Sequence, residues 1–385
     1  MRILIFNGTL PPERCGMADY TIRLAQSLRT CHKSEVAVIG GHPAPDIRYM
    51  GEQAIWSIDP AFDEASIQAA VEICKRWKPD IVHLLYHNKD FNESQAIALF
   101  PVRLRAHLPH VRFVLTLADF DDSPRGQGVI NRLHASSQAT IVTTISDKNR
   151  CLSQWPEDNV YLVPDGPSIL PQPEAGLSRE QLPVRLNPQD QAAIFFGFVD
   201  PSKGIATLLY AAAELRQRNP LFRLILIAGL HSDPSEEDIH YYQFVRNLAD
   251  YLNLQEIIYW LDYCLPTQVQ GLFELSQIGV MPFTDGISDK RSSFWALMAH
   301  GLPVITTYSA VLPAMIVHNE NIVLVEPENV QALSSAMDDL LHDPEKRARI
   351  GGQAKALMES TRSWKSITGQ LMALYRTEAT HAAAK

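Results

Sequence analysis

Short apolar runs rich in β-branched residues recur along this chain, each closed by a polar turn, and between them apolar residues return every three or four positions. The first series is RILIFNG, EVAVIG, DIVHLLY, RFVLTLA and ATIVTTIS. Runs of this kind predict strands of a parallel sheet, joined by helical crossovers. One helix signal starts at Gly16, with Met17, Tyr20, Leu24 and Leu28 spaced three, four and four apart. After NVYLVPDG the pattern lapses, and five prolines between Pro167 and Pro188 mark a linker. A second series follows: AAIFFGF, FRLILIAG, IIYWLDY, IGVMPF, LPVITT and NIVLVEP, interleaved with helical stretches such as Gly204 to Arg218. The predicted fold class is α/β, two tandem Rossmann-like doubly wound parallel-sheet domains with an interdomain cleft. The boundaries read as residues 1–166, a linker over 167–190, a second domain over 191–360, and a C-terminal helix over 361–385. That helix is expected to pack back on the first domain and to end in a frayed tail, THAAAK.

Composition agrees with two cores. A chain of 385 residues exceeds what one core holds, and 46% hydrophobic with 20% charged residues is the make-up of a globular protein. The net charge of -9 lacks the footprint of a nucleic-acid binder. The five cysteines are scattered and never spaced CxxC, which argues against a disulfide framework or a zinc site and for a reducing cytoplasm. The apolar run at the N-terminus is too short for a secretory signal, and no run reaches the length of a membrane span. Oligomeric state is not legible.

Ligands of doubly wound sheets sit beyond the carboxyl ends of the strands, so the loops there are where chemistry is expected. After the first strand, Gly16 precedes a helix and would let backbone approach a ligand; GxGxxG is absent, so the dinucleotide fingerprint fails. In FFGFVDPSKGIATLL, Lys203 and Gly204 stand at a helix start, an arrangement suited to an anion. In FTDGISDKRSSFWALMAHGLPVITT, Ser292 or Ser293 is expected to cap a helix over about 293–300, with Gly301 ending it. Backbone amides there, with Arg291 and Lys290, form a cationic pocket, while Asp285, Ser288 and Asp289 offer partners for sugar hydroxyls around Gly286. A diphosphate carrying a sugar satisfies both sets; a solvated surface turn is the alternative.

Five blocks, PPERCGMADYTIRLAQSL, PDIVHLLY, YLVPDGPS, FFGFVDPSKGIATLLYAAAEL and VMPFTDGISDKRSSFWALMAHGLPVITT, together resemble the GT-B-fold glycosyltransferases of glycosyltransferase family 4. The resemblance extends over nearly the whole chain and is similar to bacterial exopolysaccharide glucosyltransferases. It implies a retaining, metal-independent transfer of a hexose from a nucleotide diphosphate sugar, UDP-glucose by expectation, with no cofactor. The donor would be held by the second domain and a saccharide or lipid-linked saccharide acceptor by the first, in polysaccharide biosynthesis. Basic side chains and a helix N-terminus would stabilise the leaving diphosphate. Gly16 matches the family's glycine that approaches the donor phosphates, Gly197 the glycine of its G-R block, and Lys203 its phosphate-binding lysine.

Three positions depart from the family pattern. Its arginine after the glycine is Phe198, its spaced acidic pair falls on Ser288 and Ala296, and its histidine after the fourth strand is Ala118. Arg291 is the expected substitute for the arginine, Asp285 with Ser288 for the first carboxylate, and Asp119 the next candidate at the reacting centre. The nucleotide base is expected near Tyr263, with backbone at Leu265. His83 and His87 flank the expected cleft, with a structural role as the alternative. DFD at 119–121 imitates a metal-binding tripeptide by chance. Arg103, Arg105 and Arg112 would suit a peripheral contact with anionic lipid at the inner face of the membrane, or a solvated face. An epimerase or hydrolase on the same fold, or a non-catalytic nucleotide-sugar-binding partner, are the competing functions.

Overall fold

The apolar runs build two sheets. In the computed structural model, which describes residues 1–13, 15–41, 47–50, 53–155, 159–171, 177 and 179–377, each sheet belongs to its own unit. One unit comprises residues 1–165 with the chain from Trp364 onward, the other Gly166–Ser363.

The first unit holds β1 (Arg2–Asn7), β2 (Glu35–Gly41), β3 (Ile47–Met50), β4 (Gln53–Ile58), β5 (Ile81–Tyr86), β6 (Arg112–Leu117), β7 (Ala139–Val142) and β8 (Val160–Leu162). Its helices are α1 (Gly16–His32), α2 (Glu64–Trp77), α3 (Phe100–His107), α4 (Pro124–Ala135) and α5 (Ile145–Gln154). The strand order is β3-β4-β2-β1-β5-β6-β7-β8. The chain builds outward from β1 through β2 to β4, then returns to start again at β5, so the topological switch point lies between β1 and β5. Six of these strands coincide with the apolar runs. The hairpin of β3 and β4 was not anticipated, and β3 pairs antiparallel with β4, so the sheet is not wholly parallel as expected.

The second unit holds β9 (Gln191–Phe196), β10 (Phe222–Ile227), β11 (Ile258–Leu261), β12 (Ile278–Met281), β13 (Val304–Thr307) and β14 (Val323–Val325). All are parallel, in the order β11-β10-β9-β12-β13-β14, with the switch point between β9 and β12. Its helices are α6 (Ile205–Arg218), α7 (Glu236–Tyr251), α8 (Pro266–Leu275), α9 (Ser292–Ala299), α10 (Val330–His342) and α11 (Pro344–Thr361). From Phe294 to Ala299, α9 is buried on every side, which its unbroken apolar sequence requires. The proline-rich stretch also contributes: Ile169 and Val184 enter this unit's core, and Tyr259 donates to the Arg185 carbonyl at 2.7 Å. Residues 172–176 and 178 of that stretch, and the tail THAAAK, lie outside the described residues.

The last helix, α12 (Trp364–Arg376), packs on α1. The rings of Tyr20 and Trp364 are 5.2 Å apart, and Ser27 Oγ donates to the Trp364 carbonyl at 3.2 Å. Beneath them His83 is fully buried, its Nδ1 2.6 Å from Tyr375 Oη and its Nε2 2.7 Å from Thr116 Oγ1. Burial pushes its pKa down to about 3, so His83 is a neutral structural pin. The three arginines considered for a lipid surface are engaged within the unit: Arg103 with Glu64, Arg105 with the Ser136 carbonyl and Arg112 with the Thr377 carbonyl. Among the described residues no helix is long and apolar enough to cross a membrane.

Candidate functional site

At the switch point of the second unit, the loop after β9 and the loop after β12 meet. The first is short because Asp200 caps a 3-10 turn over Pro201–Lys203, accepting from the Ser202 amide at 2.8 Å, with Pro201 in the first position of the turn. Gly204 then adopts φ +65° and starts α6. A Cβ there would sit 1.8 Å from the Pro282 carbonyl oxygen, so only glycine lets the turn lie against the second loop. The Thr284 amide donates to the Ser202 carbonyl at 3.0 Å, locking the two loops together.

This junction brings two cations to one hydroxyl. Lys203 Nζ is 3.4 Å from Ser202 Oγ and Arg291 Nη1 is 3.3 Å from the same atom. Lys203 also pairs with Asp200 at 2.6 Å, and Arg291 with both oxygens of Asp285 at 2.6 and 2.7 Å. Burial, with the neighbouring Arg291 charge, pulls the Lys203 pKa below its ordinary value against the pull of Asp200. The Arg291 guanidinium lies 4.3 Å over the Phe283 ring, and its buried Nε has no hydrogen-bond partner. Arg291 is also the N-cap of α9 and makes no side-chain cap bond, so the helix begins without a capping carboxylate or hydroxyl. Gly197 stands opposite: its missing Cβ would be 3.5 Å from Ser293 Oγ. Gly197, Lys203, Arg291 and Ser293 therefore share one small region. An anion there meets two cations and the positive end of a helix dipole.

The first unit has its own cluster. Gly16 opens α1, whose N-cap Cys15 makes no side-chain cap bond, and a Cβ at Gly16 would meet nothing within 4 Å. After β6, Asp119 Oδ1 accepts from the Phe120 amide at 2.7 Å, while Oδ2 lies 3.7 Å from His87 Nε2. Behind His87, Asp90 Oδ1 is 3.3 Å from Nδ1.

Comparison with known proteins now bears on these loops. Residues 179–357 match the family model of glycosyl transferases group 1. Over that span the second unit is similar to the group 1 glycosyl transferases. A D-inositol 3-phosphate glycosyltransferase of Corynebacterium efficiens is 32% identical over 212 residues, 53% of this chain and 46% of that protein. Spore coat protein SA of Bacillus subtilis is 23% identical over 205 residues, 52% and 53% of the two chains. The chain thus spans about half the length of these relatives. Among solved structures, sucrose-phosphate synthase of Thermosynechococcus elongatus superposes with a TM-score of 0.73 at 18% identity, covering 98% of both chains. Anabaena HepE in complex with UDP and glucose does so at 0.70 and 16%, covering 97% and 98%. These likenesses establish the GT-B fold, and with the family match they bear out the resemblance carried by the five sequence blocks.

Within the second unit several expected contacts are otherwise engaged. Neither Ser292 nor Ser293 caps α9; the helix starts at Ser292 and ends at Ala299, with Gly301 at φ +77° just beyond it. Asp289 is not available to a sugar, because its carboxylate pairs with the buried Arg362, whose guanidinium lies 3.9 Å over the Trp295 ring. The Leu265 amide donates to the Gln268 side chain at 2.9 Å and its carbonyl accepts from the Val269 amide at 2.9 Å. Tyr263 is exposed beyond β11, at the sheet edge, away from the β9–β12 switch point. Ser288 and Gly286 stay in the loop, Gly286 at φ +79° with its backbone packed on Tyr308 and Ser309. Ala296, where the family carries a carboxylate, is fully buried. DFD is structural at its third residue, where Asp121 accepts from Asn88 and from the Ser123 amide at 2.9 and 2.8 Å.

Sequence reasoning missed Asp200 and Ser202, though Asp-Pro before a helix is a readable cap signature. It also missed Arg362, which no local pattern announces.

Proposed function

We propose that this protein transfers a hexose from a nucleotide diphosphate sugar to a saccharide or lipid-linked saccharide acceptor. UDP-glucose is the donor in this reading, the anomeric configuration is retained, and neither metal nor cofactor takes part. The observation that carries it is the convergence of Lys203 and Arg291 on Ser202 at the β9–β12 switch point, beside the uncapped start of α9. The pair would neutralise the charge that builds on the diphosphate as the sugar leaves, a preorganised electrostatic contribution. Gly197 keeps a side chain out of the way of that group, and Gly204 lets the Lys203 turn lie against the loop of Arg291. The solved complex of HepE with UDP and glucose, and the glycosyltransferase names of the relatives, support the choice of ligand class.

Calorimetric titration with UDP, GDP and ADP tests the donor site. UDP is expected to bind, Arg291→Ala and Lys203→Ala to weaken it by about tenfold or more each. Unchanged affinity in both variants would sink the assignment. Product analysis with UDP-glucose and an acceptor mixture tests the reaction. Elongated glycan supports transfer, free UDP and glucose alone support hydrolysis, and an altered sugar on intact nucleotide supports epimerisation. Nucleotide binding without any product favours a non-catalytic role, which the replacements at Ala118 and Ala296 keep in contention.

A further inference from the structure

The cluster after β5 and β6 lies at the switch point of the first unit, where the loops of a doubly wound sheet take ligands. His87 is held between two carboxylates, Asp90 at 3.3 Å from Nδ1 and Asp119 at 3.7 Å from Nε2. The two are not alike. Asp90 is nine-tenths buried and leaves Oδ2 without a hydrogen-bond partner, whereas the Asp119 side chain is half exposed. Asp90 is fixed by its own backbone: the Asp90 amide donates to the His87 carbonyl at 3.1 Å, and a Cβ on Gly8 would sit 2.0 Å from the Asp90 carbonyl oxygen. The three side chains are not spaced to hold a metal ion.

Nε2 and the facing Asp119 oxygen are too far apart to bond each other, but one oxygen atom placed at about 2.8 Å from both fits between them. A hydroxyl suits that position, accepting from Nε2–H and donating to the carboxylate. The local potential is negative. Burial and then Asp90 push the Cys15 thiol up to about 11, and burial with Asp121 and Asp119 raises the Tyr86 phenol. Burial opposes the imidazolium of His87, and Lys89 does so weakly, yet Asp90 and Asp119 together lift its pKa above the ordinary value. A phosphate brought here would face Asp90 and Asp119, with the Asp121 charge acting on Tyr86 beside them.

We propose that His87 and Asp119 bind a hydroxyl of a neutral sugar, and that the carboxylates around them reject a phosphorylated one. Naming this sugar the acceptor rests on the transfer reading above; the binding does not. The choice would set this chain apart from relatives named for inositol 3-phosphate.

The test follows the imidazole resonances of His87, assigned with His87→Gln, during titration with methyl α-D-glucopyranoside and with glucose 6-phosphate. Saturable shifts are expected with the glycoside, and affinity for the phosphate about tenfold weaker or less. Asp119→Asn should narrow that preference about threefold, an effect a purely structural carboxylate would not produce. Resonances unmoved by the glycoside, or phosphate binding as well as the glycoside, would overturn the proposal. In parallel, nucleotide release from UDP-glucose is followed with both sugars. Shifts as expected with no turnover fail the transfer reading alone, and turnover with an unperturbed His87 fails this site alone.

Discussion

Asp285 places both carboxylate oxygens on one nitrogen of the Arg291 guanidinium, Nη2, at 2.6 and 2.7 Å. Any anion that takes Arg291 by its fork must displace that carboxylate or share the arginine with it. The Asp285 side chain is 60% exposed, so the pair is held weakly, at about 0.5–1 kcal/mol. Asp285→Asn is therefore expected to tighten UDP binding two- to fivefold, read by calorimetry at low salt. A loss of affinity would instead mean that Asp285 serves the ligand directly.

Arg362 and Asp289 make the opposite kind of pair. The arginine is 1% exposed and stacked on Trp295, while burial drives the Asp289 pKa up against the pull of Arg362. Removing one partner leaves a buried charge alone. Arg362→Ala should cost about 3–5 kcal/mol in urea unfolding, and the double change Arg362→Leu with Asp289→Leu much less. Equal losses in both variants would show that stacking on Trp295, not charge, holds the corner.

Gly204 tests whether loop contact matters to the anion site. With φ +65° and the Pro282 carbonyl in the space of a Cβ, Gly204→Ala is expected to destabilise the second unit by about 1–3 kcal/mol and to weaken UDP binding with it. Normal UDP affinity in a folded variant would separate the turn from the ligand.

His83 within β5 and His87 just after it predict pH effects of opposite sign. His83 has its folded pKa lowered to about 3, so the stability it confers is present above its ordinary value of 6.5 and is lost as pH falls from there toward 3. The slope approaches about 1.4 kcal/mol per pH unit in that window. His87, raised above 6.5, contributes below that pH and loses its contribution as pH rises through the folded value. Urea unfolding of the wild type and of His83→Gln from pH 4 to 7 checks the first: the variant should lack the extra acid slope.

The strands of the second unit other than β11 were readable because they are buried on both faces, which forces a continuous apolar run, while the edge strand β11 is half-buried. β3 and β4 escaped notice because a hairpin at a sheet edge carries no such requirement. Lys203, Arg291 and Asp119 stood out since they lie in the loops that follow strand ends. Their partners did not: Asp285 and Asp200 are chosen by loop path, and Asp289 meets Arg362 across 73 residues of sequence. His87 and Asp119 follow different strands, and only the adjacency of β5 and β6 reveals them as neighbours. The α9 cap failed as a prediction because two serines in sequence cannot say which residue leaves helical geometry first.

The Ser168 amide and hydroxyl both reach the Ser292 carbonyl, at 3.3 and 3.4 Å, and Arg362 grips Asp289 three residues earlier. Both fasteners fall outside residues 179–357, the span by which the family is recognised. A fragment trimmed to that span would keep every side chain assigned to the diphosphate and still lose the stitches that hold their loop, so soluble expression of such a piece is no guarantee of a working nucleotide grip.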